Sequence, residues 1–223
     1  MNILGSNVIA RAESLVRGAT RCWLALHELS CETDGKQHKY FMVTRGDQIV
    51  PHDQKKPDAV CVIGFDYSGP EPVIILTKEY RVAIGAYEIG AVAGLIDAAD
   101  YEIPDHFSSS GVREGLVNSV EAAAKKAAIR EFHEETGLTF EPVEISAENL
   151  YSTAGMTNES VCLVIGKASG TSSRDHLEEG EDIHTIPCNR QQVCDLLEDK
   201  KLAFSKHVWP FLWAIKHFGF PSI

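Results

Sequence analysis

The chain has 223 residues, of which 44% are hydrophobic and 24% charged, a balance typical of a soluble globular protein. No run approaches the ~20 apolar residues of a membrane helix, and residues 1–18 hold too short an apolar run for a secretory signal, so we expect a cytoplasmic protein that binds no membrane. The formal net charge of −11 argues against nucleic-acid binding, although divalent cations could bridge a small phosphate ligand to carboxylates.

The first part of the chain is predicted to form β-structure. An apolar run at 21–29 and an aromatic, β-branched run at 40–44 predict a hairpin, and Asp34-Gly35 between them is a turn signal. Further strands are predicted at 59–65, at 73–77 and, as short pieces, within 84–96. Residues 97–118 show no clear period and are interpreted as an irregular segment.

An alanine-rich helix is predicted next, from Ser119 as its N-cap to Thr136, with Gly137 at its end. The elements predicted after it are a strand at 160–167, a strand at 183–187, a helix at 191–197 and a last helix that ends near Phe218 with Pro210 in its first turn. Strands on both sides of one helix indicate an α+β protein with a mixed sheet.

The strongest functional signal is an acidic cluster inside the alanine-rich helix. Because positions i, i+3 and i+4 share a helix face, Glu131, Glu134 and Glu135 should project together. Their mutual repulsion calls for a neutralising partner, and Mg²⁺ or Mn²⁺ prefer such oxygen ligands. Arg130 could hold one carboxylate bidentately. The fragment E-x-x-E-E alone is equally typical of a solvated helix face.

The full string at 130–138, REFHEETGL, resembles the second half of the Nudix box, G-x5-E-x7-R-E-U-x-E-E-x-G-U with U apolar. Phe132 and Leu138 occupy the two apolar positions. The resemblance implies a Nudix-type α/β/α sandwich with a mixed sheet, and a hydrolase whose helix glutamates hold divalent cations.

Two registers compete for the first half of the box. In one, Gly115 and Glu121 give an intact G-x5-E, followed by eight residues where the family has seven. In the other, residues 93–97 (AGLID) resemble the same segment of ADP-ribose and nucleotide-sugar pyrophosphatases, and Asp100 stands where the family has Glu. This second register requires an insertion around 101–120. We favour it, because that range already lacks a regular pattern.

Two other segments are similar to the same subfamily. Residues 78–81 (KEYR) resemble its Q-Y-R segment, and residues 152–159 (STAGMTNE) resemble its S-P-G-x-x-x-E loop. The site residues that the resemblance implies are Glu131, Glu134, Glu135 and the carbonyl of Ala93 as metal ligands, Glu159, Glu134 and Arg130 as catalytic residues, and Arg81 and Gly94 as substrate contacts.

The resemblance also implies the domain organisation and the function. An N-terminal β region at 1–57 would build a homodimer, and residues 58–223 would form the hydrolase domain. The predicted reaction is Mg²⁺- or Mn²⁺-dependent hydrolysis of a nucleoside diphosphate derivative, ADP-ribose or an NDP-sugar, to NMP and a sugar phosphate. Two alternatives remain open: a Nudix-fold sensor that binds a nucleotide without cleaving it, and a nucleoside triphosphate pyrophosphohydrolase.

Overall fold

The computed structural model describes residues 2–16, 19–101, 112–145 and 149–223, and within them the side chains except those of residues 2, 12–16, 19–22, 99 and 112–119. The chain divides into two compact units. The first unit comprises residues 1–58 and 149–161, and the second comprises residues 59–148 and 162–223. The assignment of domains to 1–57 and 58–223 stays a prediction.

The first unit contains a three-stranded antiparallel sheet, ordered β1 (Asn2–Val16), β2 (Ala19–Thr33) and β3 (Lys36–Arg45). The β2–β3 hairpin turns at Asp34-Gly35 as predicted, since both residues have the positive φ angles (51° and 73°) of a tight hairpin turn. Strand β1 was not predicted, because Gly5 and the polar residues after it interrupt the apolar pattern. The short strand β9 (Leu150–Tyr151) pairs with the start of β10.

The second unit is built on a mixed sheet. Its strands are β4 (Ala59–Asp66), β5 (Val73–Arg81), β6 (Ala86–Gly90), β7 (Val92–Leu95), β8 (Thr139–Ile145), β10 (Ser160–Ser169), β11 (Ile183–Cys188) and β12 (Ala203–Phe204). The sheet order is β12-β6-β5-β4-β10-β8, with β7 on β4 and β11 on β5. Strand β12 pairs with β6 in parallel, and β5 pairs antiparallel with β4, β6 and β11. The predicted α+β class is confirmed.

Both faces of the central strand β4 are covered. Gly64 leaves room for the ring of Phe132 on helix α1 (Val112–Thr136), since a β-carbon there would lie 2.4 Å from that ring. Because successive strand residues point to opposite faces, Phe65 points away from α1, and its ring meets Phe220 edge-on. Phe220 follows the last helix, α3 (Trp209–Phe218), which packs on α2 (Arg190–Glu198).

Helix α1 presents a buried stripe to the core. The stripe repeats every three or four residues, as a helix packed along one side requires, and its members are Val120, Ala123, Ala124, Ala127, Ala128 and Phe132. The helix ends where Gly137 takes a positive φ of 73° and its N–H donates to the carbonyl of His133 at 2.8 Å.

The structure corrects one sequence prediction and adds a further strand that was not predicted. Helix α1 begins at Val112 and not at Ser119, because an established helix propagates through residues of modest propensity such as Gly115 and Asn118. Of the predicted insertion around 101–120, residues 102–111 lie outside the described residues. Strand β8 was missed because it contains Pro142, which is tolerated at the edge of the sheet.

In the described ranges, no helix is long and apolar enough to cross a membrane.

Candidate active site

The last turns of α1 carry a clamped pair of glutamates. The Nη1 atom of Arg130 donates to Glu131 Oε1 at 2.7 Å and to Glu134 Oε2 at 3.0 Å. Its Nη2 atom donates to the carbonyl of Leu95 at 3.0 Å, at the end of β7. A guanidinium bound at three points fixes both carboxylates and ties the helix to the sheet. Arg130 therefore does not hold one carboxylate bidentately, as predicted, but bridges two carboxylates through a single nitrogen, because its second nitrogen is bound to the Leu95 carbonyl.

Gly94 lies directly against the carboxylate of Glu131. A β-carbon at position 94 would come within 1.9 Å of Glu131 Cδ, so no other residue fits without moving the glutamate. The close approach brings the β7 backbone to the acidic face of α1. The side chain of Glu131 keeps only 14% of its surface exposed as a result.

Glu135 is the most buried acid of the cluster. The N–H of Ala93 donates to its Oε1 atom at 3.4 Å. Burial raises the pKa of Glu135 well above its usual range, and the nearby charges of Glu79 and Glu131 raise it further. A cation bound beside the buried Glu135 would stabilise its ionised form.

The acidic character extends beyond α1. Burial raises the pKa of Glu131, and the charges of Glu134 and Glu178 add to this effect. Burial likewise raises the pKa of Glu79 on β5, with additions from Glu181 and Glu88. Acids from α1, from two neighbouring strands and from the loop between β10 and β11 therefore share one negative field.

Comparisons with known proteins find similar chains, although no family model matches. A putative Nudix hydrolase from Caenorhabditis elegans is 29% identical over 124 residues, which cover 53% of this chain and 46% of the relative, so the chain spans about half of that protein. An uncharacterised Nudix hydrolase from Schizosaccharomyces pombe is 23% identical over 171 residues, which cover 74% of this chain and 70% of the relative. The crystal structure of an ADP compounds hydrolase shares the fold, with a TM-score of 0.58 and 19% identity over 98% of this chain and 96% of that chain.

The two curated relatives carry the family name that the helix motif predicts, and the chain is similar to Nudix hydrolases.

The geometry favours one register of the Nudix box. Gly94 contacts Glu131, and the Asp100 carboxylate lies 3.7 Å from Arg130 Nη2. Glu121, which the other register requires, is exposed on α1 ten residues before Glu131, about 15 Å along the helix axis. In the register that starts at Gly94, both Gly94 and Asp100 therefore lie against α1.

Arg81 stands at the end of β5 among acids. Its Nη1 atom lies 2.7 Å from Glu79 and its Nε atom lies 3.4 Å from Glu88. Because Glu79 and Glu88 belong to the acidic field, Arg81 is held at the edge of that field with part of its guanidinium exposed. The substrate contact assigned to Arg81 stays a prediction, as does the contact assigned to Gly94.

Glu159 belongs to the first unit. Its Oε1 atom accepts a hydrogen bond from Arg45 Nε at 2.6 Å, and its N–H donates to Thr157 Oγ1 at 3.0 Å. A charge-assisted bond of this length fixes the side chain. The role of Glu159 as general base stays a prediction.

The donor set fits a hard divalent cation. In the described part of the chain, no three His, Cys, Asp or Glu side chains already converge on one point. Arg130 holds Glu131 and Glu134, while Glu135 turns to the Ala93 N–H. Burial and the neighbouring acids raise the pKa values of Glu131 and Glu135, so a cation bound beside them would stabilise their ionised forms, and carboxylate oxygens are what Mg²⁺ and Mn²⁺ prefer.

The loop between β10 and β11 was not among the segments to which the sequence assigned a function. Glu178 and Glu181 act electrostatically on Glu131 and Glu135, respectively. The loop is held against α1 because the Ser173 N–H donates to the Thr136 carbonyl at 2.9 Å. The ring of His176 also contacts that of His133, with centroids 4.5 Å apart and planes tilted by 36°. A run of acids just before a strand was the one available signal.

Proposed function

We propose that the protein is a Mg²⁺- or Mn²⁺-dependent Nudix pyrophosphatase that cleaves a nucleoside diphosphate derivative, ADP-ribose or an NDP-sugar, to NMP and a sugar phosphate. The observation that carries this proposal is the acidic field around Glu131 and Glu135 on the Nudix helix. It is built from buried carboxylates that a solvated surface would not assemble.

Glu131, Glu134, Glu135 and the Ala93 carbonyl are the proposed ligands. Divalent ions held there would offset the charge of the diphosphate and make a coordinated water more acidic. Arg130 would keep Glu131 and Glu134 in fixed rotamers, and Gly94 would let the β7 backbone and the phosphates come close. Arg81 would bind phosphate oxygens at the edge of the site.

The proton of the attacking water needs an acceptor. Glu159 is the acceptor that the loop resemblance suggests, and Glu134 is a second candidate. Glu178 and Glu181 join them, since both act on the helix glutamates from an exposed loop. An exposed carboxylate can take up a proton and pass it to solvent, which a buried ligand cannot.

The substrate class is supported by the AGLID segment and by the fold shared with an ADP compounds hydrolase. The experiment that tests the proposal incubates the protein with ADP-ribose, ADP-glucose, UDP-glucose and ATP, with Mg²⁺ or with EDTA, and separates the products by chromatography. We expect AMP or UMP with a sugar phosphate, and only with the cation. Turnover of ATP alone would overturn the substrate class, and no turnover by a folded protein would overturn the activity.

Two observations favour the second candidate function, a nucleotide sensor. Arg130 already satisfies Glu131 and Glu134, and Asp100 replaces the Glu of the Nudix box. Calorimetry on the same ligands separates the two functions, because a sensor binds tightly and leaves the ligand intact.

The protein is further proposed to be a cytoplasmic homodimer. Support for the dimer comes from β1, where Ile3, Leu4 and Ile9 expose 60%, 53% and 53% of their surface. Apolar side chains gathered on an exposed sheet are typical of an interface.

A further inference from the structure

A cleft lies on the second unit where α2, the turn before β5 and the segment after α3 meet. Its volume is about 750 Å³, within the range of sites for small organic molecules. Its lining includes Arg190, Cys194, Lys216, Phe220, Pro72 and Glu71. None of these residues takes part in the proposed hydrolysis.

The lining of the cleft carries two cations, Arg190 and Lys216, and one acid, Glu71. Arg190 Nη2 donates to the carbonyl of Lys216 at 2.8 Å, and a bond to this neutral group does not itself neutralise the guanidinium charge. Lys216 Nζ lies 3.4 Å from Glu198, whose side chain is 73% exposed, so that pair is weak. Glu71 is the opposing charge, and one of its oxygens accepts a bond from Asn189 at 3.1 Å.

The cleft and the acidic field occupy opposite faces of the sheet. Phe220 lines the cleft and packs on Phe65, whereas Gly64, the preceding residue, faces Phe132 on the Nudix helix. Neighbouring residues of a strand point to opposite faces. A ligand in the cleft would therefore not touch Glu131 or Glu135.

We propose that this cleft binds a small organic anion that carries an aromatic ring. The anionic group, a carboxylate or a phosphate, lies against Arg190 and Lys216. The ring packs on Phe220 and Pro72, which form the apolar part of the lining. A net charge of −11 keeps such anions away from most of the surface, so a local pair of cations gives the cleft its selectivity. This inference does not depend on the hydrolase activity.

Cys194 provides a reporter inside the cleft, because its thiol is free and partly exposed. The first experiment measures its alkylation at low salt by iodoacetate, an anion, and by iodoacetamide, a neutral analogue, with mass spectrometry to locate the label. We expect the rate ratio of iodoacetate to iodoacetamide to be severalfold higher in the folded protein than in urea. Arg190→Gln and Lys216→Gln should lower the ratio, whereas Lys200→Gln, which removes an exposed charge outside the lining, should not. A ratio equal to that in urea, or unaffected by Arg190→Gln at an unchanged melting temperature, overturns the cationic assignment.

The second experiment tests the ligand class by protection of Cys194 from iodoacetamide. The probes are phenyl phosphate, phenylacetate, benzyl alcohol and inorganic phosphate. Protection by the two aromatic anions, weakened severalfold in Arg190→Gln, supports the proposal, and the stronger of the two identifies the preferred anionic group. Equal protection by benzyl alcohol would overturn the role of the cations, equal protection by inorganic phosphate would overturn the role of the ring, and no protection by any probe would overturn the site.

Discussion

Gly94 and Glu131 occupy adjoining space so closely that a β-carbon on the glycine would lie 1.9 Å from the glutamate Cδ. The two residues are 37 positions apart in the sequence, and the segment between them includes the long helix that precedes the acidic cluster. This contact joins the AGLID segment to the acidic cluster of α1 in space. A single methyl group added at position 94 would therefore displace the carboxylate of Glu131.

Gly94→Ala should therefore abolish most of the proposed activity. The added methyl would push Glu131 away from Arg130, and an overpacked position costs about 1–3 kcal/mol of unfolding free energy. Steady-state turnover of ADP-ribose and urea unfolding measure the two effects. Gly5→Ala is the matched control, since a β-carbon there meets nothing within 4 Å. Normal turnover by a folded Gly94→Ala protein would contradict the placement of Glu131 in the site.

Glu135→Gln separates a functional acid from a structural one. We expect kcat to fall by orders of magnitude, while the melting temperature without divalent cations stays level or rises. The reason is that burial disfavours the ionised form of Glu135, and the amide keeps the shape without the charge. Glu144→Gln, an exposed acid on β8, is the control for the loss of one negative charge. A large drop in melting temperature would mean that Glu135 is structural.

The pH dependence of stability follows from the raised pKa values of Glu131, Glu135 and Glu79. A carboxyl whose pKa is higher in the folded state contributes stability below its unfolded pKa of about 4.3, and loses that contribution as pH rises through the folded value. Without divalent cations, the unfolding free energy in urea should therefore decline from pH 5 to pH 7. The unfolding free energy of the Glu135→Gln variant should decline less over this range. Mg²⁺ should raise the unfolding free energy of the unmodified protein mainly at pH 7. Identical slopes in the two proteins would refute this account.

The motif on α1 and the order of most elements could be predicted from local sequence, because helix periodicity, apolar runs and turn residues act over short range. The start of α1 could not, since helix propagation from a strong core overrides the weak preferences of residues such as Gly115. The residues that surround the acidic cluster could not be predicted from the sequence either. Glu178 and Glu181 act on the helix glutamates only because tertiary packing brings their loop close to α1, and no local sequence pattern predicts that packing.

Glu178→Gln and Glu181→Gln test whether this loop takes part in the reaction. If one of these acids accepts the proton of the attacking water, its replacement should lower kcat by tenfold or more with little change in KM. The reason is that a general base acts in the transition state and not on substrate binding. The rate profile against pH should lose its acidic limb in the same variant. Glu179→Gln, an exposed neighbour, is the control. If Glu159→Gln alone shows this behaviour, the base lies in the first unit.

The proposed dimer makes a separate prediction about β1. Ile9→Glu should shift the protein from dimer to monomer in sedimentation equilibrium, because a charge buried in an apolar interface without a partner is costly. Val143→Glu is the control, since Val143 is similarly exposed (50%) but lies on β8 of the second unit. A wild-type protein that sediments as a monomer would contradict the dimer itself, whereas a dimeric Ile9→Glu variant would contradict only its assembly through β1.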